Sequence, residues 1–165
     1  MTRDIALRPL TRAAFAPFGD VIAAAGARSH PINGGMCDRH HALAAAEALG
    51  EGARTIISLG RGRPYALPLD LPMLERHPLG SQAWIPLHDR PFAVIVAPDE
   101  GGRPGTPVAF ITGPGEGVNY HANIWHAPVT PLGAPGDFAI IDRDGPGTNL
   151  EEFTFSTPWR IVLGA

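Results

Sequence analysis

The chain is divided into short apolar segments by frequent glycine, proline and aspartate. Each segment has the length of a β-strand and is rich in valine, isoleucine and phenylalanine, which favour strands. Glu152–Phe155 also alternates in polarity, which places Phe153 and Phe155 on one face. The 20 glycines and 18 prolines lie between these segments and therefore indicate turns rather than disorder. The segments are Thr55–Leu59, Gln82–Leu87, Phe92–Ala97, Val108–Thr112, Phe138–Ile141 and Trp159–Leu163.

Helices are predicted at only two places. Thr11–Phe15 begins with a threonine that can cap a short helix. His41–Leu49 consists largely of alanine and leucine and ends at Gly50, which suits the position after a helix. Asp99–Pro107 is predicted to be an exposed hairpin connection. We therefore expect one domain over residues 1–165, an all-β antiparallel sandwich or barrel with one or two short helices.

Composition excludes several classes of protein. A single cysteine, Cys37, excludes an internal disulfide framework and a four-cysteine metal site. A net charge of −3 argues against a nucleic-acid partner. The start of the chain lacks the basic and apolar regions of a signal peptide, and no apolar run approaches the ~20 residues that span a bilayer. The expected location is the cytoplasm, with no membrane association.

Chemically versatile side chains are concentrated in three segments. In the first, Glu75 and His77 project to the same face if the chain is extended, and Gln82 opens the next predicted strand. In the second, residues 117–126, Asn119 and His121 share a face while His126 has the opposite parity. The third, residues 32–41, is a loop with an arginine and adjacent histidines. Histidine suits both proton transfer near neutral pH and metal binding, so these segments are candidates for an active site.

The spacing Glu75-x-His77-x4-Gln82, followed about forty residues later by His121, resembles a cupin motif. Cupins place a His-x-His-x(3,4)-Glu motif and a second, distant histidine inside a small barrel. Here glutamate occupies the first histidine position and glutamine occupies the glutamate position. Glutamine is a neutral, poorer ligand, but Glu75, His77 and His121 together with water could still hold a divalent ion.

Longer strings of residues resemble the ureidoglycolate lyase family, whose members are cupin-like homodimeric enzymes of allantoin breakdown. The resemblance extends from about residue 5 to residue 143 and weakens over 144–165. The matching strings are Phe18–Ile22, Asn33-x-Gly35-x3-Arg39-x-His41, Glu75–Ala83, Ala109–Thr112, Gly117-Val118-Asn119-Tyr120-His121-x-Asn123-x-Trp125-His126 and Ile141–Arg143.

The resemblance implies a cupin-like barrel that cleaves (S)-ureidoglycolate to glyoxylate and urea, works as a homodimer and uses a divalent ion, nickel. The carbon that reacts carries a hydroxyl, a carboxylate and a ureido nitrogen, so elimination needs a base and an acid but no covalent nucleophile. His77 and His121 are predicted to be the acid–base pair or metal ligands. Glu75 either orients His77 or acts as a third ligand.

The substrate-binding residues are predicted from the same strings. Arg76 or Arg39 could clamp the substrate carboxylate through a bidentate fork, although Arg76 lies on the strand face opposite Glu75 and could instead be structural. Three side-chain amides, those of Asn33, Gln82 and Asn119, could contact the urea portion. Aromatic and imidazole rings commonly line such pockets, which adds Tyr120 and His126.

Two other functions are compatible with the residues. One is a different cupin metalloenzyme, an isomerase or a dioxygenase, because Glu75, His77 and His121 could imitate the two-histidine, one-carboxylate set of iron enzymes. The other is a non-catalytic barrel that binds a small organic acid. Oxygen uptake or binding without turnover would reveal them.

Overall fold

The computed structural model describes residues 3–164. Met1, Thr2 and Ala165 lie outside the described residues. The two ends of the predicted 1–165 domain therefore lie outside them as well, as do the first two residues of the N-terminal segment on which the expected cytoplasmic location depends. Within the described part, no helix has the length and apolar character needed to cross a membrane. The elements are β1 (Arg3–Ala6), β2 (Arg8–Pro9), α1 (Arg12–Phe15), β3 (Gly19–Ile22), β4 (His30–Ile32), a 3-10 turn (Asn33–Gly35), β5 (Cys37–Arg39), β6 (Arg54–Gly62), β7 (Leu69–Arg76), β8 (Gln82–Pro86), β9 (Phe92–Ala97), β10 (Val108–Ile111), β11 (Gly117–Tyr120), β12 (Trp125–His126), β13 (Thr130–Pro131), β14 (Gly136–Asp144) and β15 (Glu151–Val162).

These strands form two main sheets and one small hairpin. The larger sheet has eight strands in the order β1-β15-β7-β12-β9-β10-β2, with β13 also on β9. Because β1 pairs with β15 and β2 pairs with β10, and only Leu7 separates β1 from β2, this sheet almost closes on itself. The second sheet has five strands in the order β3-β11-β8-β14-β6, and β4 pairs with β5 alone. The predicted all-β, cupin-like barrel is confirmed.

Alternation along β9 divides the apolar residues into two cores. Val94 and Val96 face the space between the two sheets, where they join Phe110, Val118 and Phe138. The other face of β9 packs into the rolled sheet against a second group, Leu71, Leu74, Trp125 and Ile161. All six residues of β9 are buried, so this strand is the shared wall of both cores. Full burial stabilises each valine, isoleucine or phenylalanine side chain by roughly 1.5–3 kcal/mol.

Each predicted strand segment overlaps an observed strand, and three of them, Gln82–Leu87, Val108–Thr112 and Trp159–Leu163, end one residue later than the strand does. Two of them, Glu152–Phe155 and Trp159–Leu163, belong to the single strand β15, which is interrupted by a register shift between Thr154 and Trp159. The expected common face is confirmed by an edge contact between the rings of Phe153 and Phe155, whose centroids are 5.4 Å apart. The short helix is also confirmed, and the Thr11 hydroxyl caps it by accepting from the Ala14 amide.

The predicted helix His41–Leu49 is wrong. The segment is extended and irregular, and its backbone groups bond to other parts of the chain. The carbonyl of Glu47 accepts from the Ser81 amide at 3.1 Å, and the Leu49 amide donates to the Leu79 carbonyl at 2.8 Å. A nine-residue helix is too short to be stable alone, so tertiary hydrogen bonds override the helical preference of alanine and leucine.

Candidate active site

Two adjacent strands bring one carboxylate and two imidazoles together. Glu75 near the end of β7 lies directly opposite His126 of β12 in an antiparallel pair, so both side chains occupy one face. His77 follows two residues after Glu75 and has the same parity. The Oε1 atom of Glu75 is 3.9 Å from Nε2 of His77 and 3.7 Å from Nε2 of His126. The three side chains therefore converge at one end of the space between the sheets.

Hydrogen bonds determine the tautomers of both histidines. Nδ1 of His77 is 2.7 Å from the Asn149 carbonyl oxygen, and Nδ1 of His126 is 2.9 Å from that of Ile124. A carbonyl oxygen only accepts, so in the neutral form of each ring Nδ1 carries the proton and Nε2 presents a lone pair. Both Nε2 atoms are buried and have no hydrogen-bond partner among the described residues. Two unpaired imidazole lone pairs beside a carboxylate are a donor set that suits a divalent transition metal.

The surroundings shift the pKa values of Glu75 and His126 in the directions that favour their uncharged forms. Burial is the main cause that raises the pKa of Glu75, with the charge of Glu152 adding to it and His77 opposing it. Burial also lowers the pKa of His126 to about 3, with a further lowering from His77, and the bond to the Ile124 carbonyl opposes it only in part. His126 is therefore neutral near pH 7, and Glu75 is a stronger base than an ordinary glutamate.

The five-stranded sheet contributes Tyr120 to the same space. Its ring stacks on His126 with centroids 4.2 Å apart and an interplanar angle of 10°. Burial, and secondarily the charge of Glu75, raises the pKa of the Tyr120 hydroxyl. This hydroxyl consequently remains protonated and can donate a hydrogen bond to a ligand at neutral pH.

Gln82 lies beside Tyr120 on the same face, because the two are direct partners on β8 and β11. Its Oε1 atom accepts from the indole Nε1 of Trp84 at 2.8 Å, and its Nε2 atom donates to Oδ2 of Asp142 at 3.3 Å. The amide orientation of Gln82 is thereby determined. The structure thus brings five of the predicted site residues to one end of the space between the two sheets, namely Glu75, His77, Gln82, Tyr120 and His126.

The structure places His121 and Asn119 on the other side of the five-stranded sheet. Both bond to Oδ2 of Asp20, His121 through Nε2 at 3.0 Å and Asn119 through Nδ2 at 3.1 Å. Because side chains alternate along the extended chain, Asn119 and His121 lie on one face of the sheet and Tyr120 lies on the opposite face. The predicted metal set of Glu75, His77 and His121 therefore differs from the observed group of Glu75, His77 and His126.

Arg76 is not brought to this group either. Its guanidinium lies on the opposite face of β7, where it pairs with Asp99 at 2.8 Å and with Glu151 at 2.6 Å. It also covers the ring of Trp125, at 4.4 Å from the centroid. Only 12% of the Arg76 side chain is exposed. Its guanidinium is already paired with Asp99 and Glu151, so it is not available to bind the carboxylate of a substrate.

The remaining two predicted site residues belong to the hairpin of β4 and β5. Asn33 begins its 3-10 turn with a φ of 54°, and Arg39 ends β5; both are exposed. Arg39 lines a cleft on the outer face of the five-stranded sheet together with Asn119 and Ile85. Within residues 3–164, the hairpin therefore borders the outer cleft and not the group around Glu75.

Comparison with known proteins assigns the family. The model of a family described as ureidoglycolate lyase matches residues 2–162. The chain belongs to the ureidoglycolate lyase family. A ureidoglycolate lyase of Mesorhizobium japonicum is 60% identical over 163 residues, covering 99% of each chain. Those of Chelativorans sp. and Agrobacterium fabrum are 59% and 53% identical, with 98% of each chain covered. The resemblance inferred from the motifs is confirmed, and the family name describes a lyase.

For this member of the ureidoglycolate lyase family, the sequence indicates the positions of two residues, His126 and Asp142, less clearly than those of Glu75 and His77. His126 was predicted as a pocket contact rather than a member of the ligand group, because its parity within residues 117–126 differs from that of His121. The intervening residues 121–124 form a turn, in which the Asn123 amide bonds to the His77 carbonyl, so parity is reset. Asp142 stands in the matching string Ile141–Arg143, and its alternation with Phe138 was the available signal.

Proposed function

We propose that the protein is a ureidoglycolate lyase that eliminates urea from (S)-ureidoglycolate and leaves glyoxylate. In this reaction the hydroxyl of the substrate loses its proton, a carbonyl forms at the same carbon, and the bond to the ureido nitrogen breaks. The departing nitrogen takes up a proton, so urea leaves as a neutral molecule. Family membership supports this assignment, and the observation that carries it is the pair of buried, unpartnered imidazole lone pairs beside Glu75.

We propose further that Glu75, His77 and His126 hold a divalent metal ion, for which the resemblance suggests nickel. The donor atoms of these residues all lie within 4.8 Å of one another, a spacing that one ion can bridge. When bound, such an ion supplies a Lewis acid that polarises the oxygen atoms of the substrate.

The side chains around this group supply the proton transfers. Oε1 of Glu75 faces both imidazoles, which leaves Oε2 as the proposed base for the substrate hydroxyl. Tyr120, whose hydroxyl stays protonated, is the proposed donor to the departing nitrogen or to the substrate carboxylate. A positioned acid–base pair accelerates such a step by roughly 10²–10⁴-fold.

The direct test is incubation with racemic ureidoglycolate. We expect equal amounts of glyoxylate and urea, with half of the racemate consumed, and loss of activity in a chelator that is reversed by nickel. Absence of both products would contradict the proposed function. Oxygen uptake would instead favour a dioxygenase, and binding of glyoxylate without turnover would favour a binding barrel.

We also propose that the protein forms a homodimer through the outer face of the five-stranded sheet. Ile57 and Leu59 on the edge strand β6 are both 77% exposed, which is unusual for large apolar side chains. Ile57 pairs with Ile141 in the sheet, so the apolar surface is continuous across two strands. Sedimentation should give a dimer for the wild type and a monomer for Leu59→Asp. A monomeric wild type at micromolar concentration would contradict this.

The proposed substrate also indicates the metabolic role and the cellular location of the reaction. We propose that the protein acts in the cytoplasm during allantoin and purine nitrogen catabolism, as the family resemblance suggests. Extracts of cells that lack the protein should fail to convert ureidoglycolate to glyoxylate, and ureidoglycolate should accumulate when they are supplied with allantoin. Fractionation should recover the protein with cytoplasmic markers, and recovery from another fraction would contradict the location.

A further inference from the structure

Asp142 faces the proposed site from the five-stranded sheet. On β14 it has the parity of Phe138, which is fully buried between the two sheets. The pairing of Ile141 with Ala83 continues the ladder so that Asp142 comes next to Gln82, which is itself paired with Tyr120. Tyr120, Gln82 and Asp142 therefore form one row across three strands, on the face where Tyr120 stacks against His126.

A chain of hydrogen bonds gives this row a defined polarity. The indole of Trp84 can only donate, so the oxygen of the Gln82 amide faces Trp84 and the nitrogen faces Asp142. One hydrogen of Gln82 Nε2 remains unused. The Oδ1 atom of Asp142 is buried and has no hydrogen-bond partner within residues 3–164. Such a buried acceptor requires a partner, because leaving it unpaired is costly.

A donor next to an acceptor is the complement of a carbamoyl edge, in which a carbonyl oxygen lies beside an N–H. We propose that Asp142 is a specificity-determining residue, whose Oδ1 accepts from the terminal NH₂ of the substrate while Gln82 Nε2 donates to the ureido carbonyl. This inference rests on the proposed function and adds how the ureido half is recognised. A substrate without a terminal N–H leaves the buried Oδ1 unpaired and is therefore rejected.

The test compares ureidoglycolate with its analogue in which the terminal nitrogen carries two methyl groups. For the wild type we expect kcat/KM to be roughly ten- to a hundred-fold higher with ureidoglycolate, as the loss of a hydrogen bond to a charged group implies. In Asp142→Asn, an amide hydrogen replaces the free acceptor, and this ratio should fall toward one. If the preference came from the size of the methyl groups alone, the ratio would persist in Asp142→Asn, which would overturn the proposal.

The matched control is Asp137→Asn, the same chemical change on the same strand. Asp137 is paired with Arg61 on the solvent side and should keep the wild-type ratio. Inhibition by glyoxylate, which has no carbamoyl group, should be unchanged in Asp142→Asn and so reports that the fold and the rest of the site are intact. Asp142→Ala removes the free acceptor without replacing it and should also bring the ratio toward one, which provides a second variant if Asp142→Asn is unstable.

The outcomes separate the two proposals. A wild type that releases no glyoxylate and urea contradicts the proposed function. A wild type that turns over ureidoglycolate but shares its ratio with Asp142→Asn and Asp142→Ala contradicts only the role of Asp142.

Discussion

His126 lies directly opposite Glu75 in the ladder between β12 and β7, and its Nε2 atom is 3.7 Å from the Glu75 carboxylate. This relationship, and not the separation along the sequence, selects which histidine joins Glu75 and His77. The ring of His121, only five positions earlier, hydrogen-bonds to Asp20 instead.

The first prediction therefore distinguishes these two histidines. His126→Ala should lower kcat by at least about 100-fold, because it removes one of three converging donors. His121→Ala should retain activity within a few-fold, because His121 faces the outer side of the sheet. Steady-state kinetics with ureidoglycolate provide the measurement. An equal loss of kcat in both variants would contradict this prediction and would indicate that His121 takes part in the reaction.

The second prediction concerns metal binding and stability. A metal ion that binds only the folded protein stabilises it by about 2.7 kcal/mol at a hundred times its Kd. Nickel added to metal-free wild type should raise the midpoint of thermal unfolding, and His126→Ala should show little or no rise at the same concentration. His121→Ala is the matched control and should respond as the wild type does. A shift that is the same in all three proteins would indicate binding elsewhere.

The third prediction assigns Arg76 to stability. Arg76→Gln removes two ion pairs and the contact with Trp125, for which we expect a loss of about 1–2 kcal/mol of unfolding free energy. KM for ureidoglycolate should stay unchanged, because the guanidinium lies on the face opposite Glu75. Urea denaturation and kinetics measure the two effects separately. A large rise in KM with unchanged stability would instead support a substrate clamp.

The fourth prediction concerns the pH dependence of stability at Asp99. Its pKa is lowered first by the hydrogen bond from Trp125, then by the Gly102 amide and by Arg76. A carboxyl group with a lowered pKa stabilises the fold above the pKa of the unfolded chain, about 3.9, and this contribution is lost as the pH falls through the lower folded value.

Asp99→Asn should thus be less stable than the wild type at pH 7, and the difference should shrink as the solution is acidified below about pH 4. Denaturation at several pH values provides the measurement. A difference for Asp99→Asn that stays constant down to the acid limit would contradict the assignment.

The sequence by itself determined the strands and half of the site. Strands such as Phe92–Ala97 follow from local composition, and the common face of Glu75 and His77 follows from the alternation of an extended chain. Both are properties of a few consecutive residues. The family, too, could be inferred from short strings such as Glu75–Ala83.

Only the tertiary structure decided the partner of Glu75 and the state of His41–Leu49. The ladder between β7 and β12 joins residues about fifty positions apart, and the turn before His126 reverses the parity that a continuous strand would have. The hydrogen bonds that keep His41–Leu49 extended likewise come from distant residues such as Ser81. Long-range pairing is selected by the burial of whole faces, which no local pattern in the chain encodes.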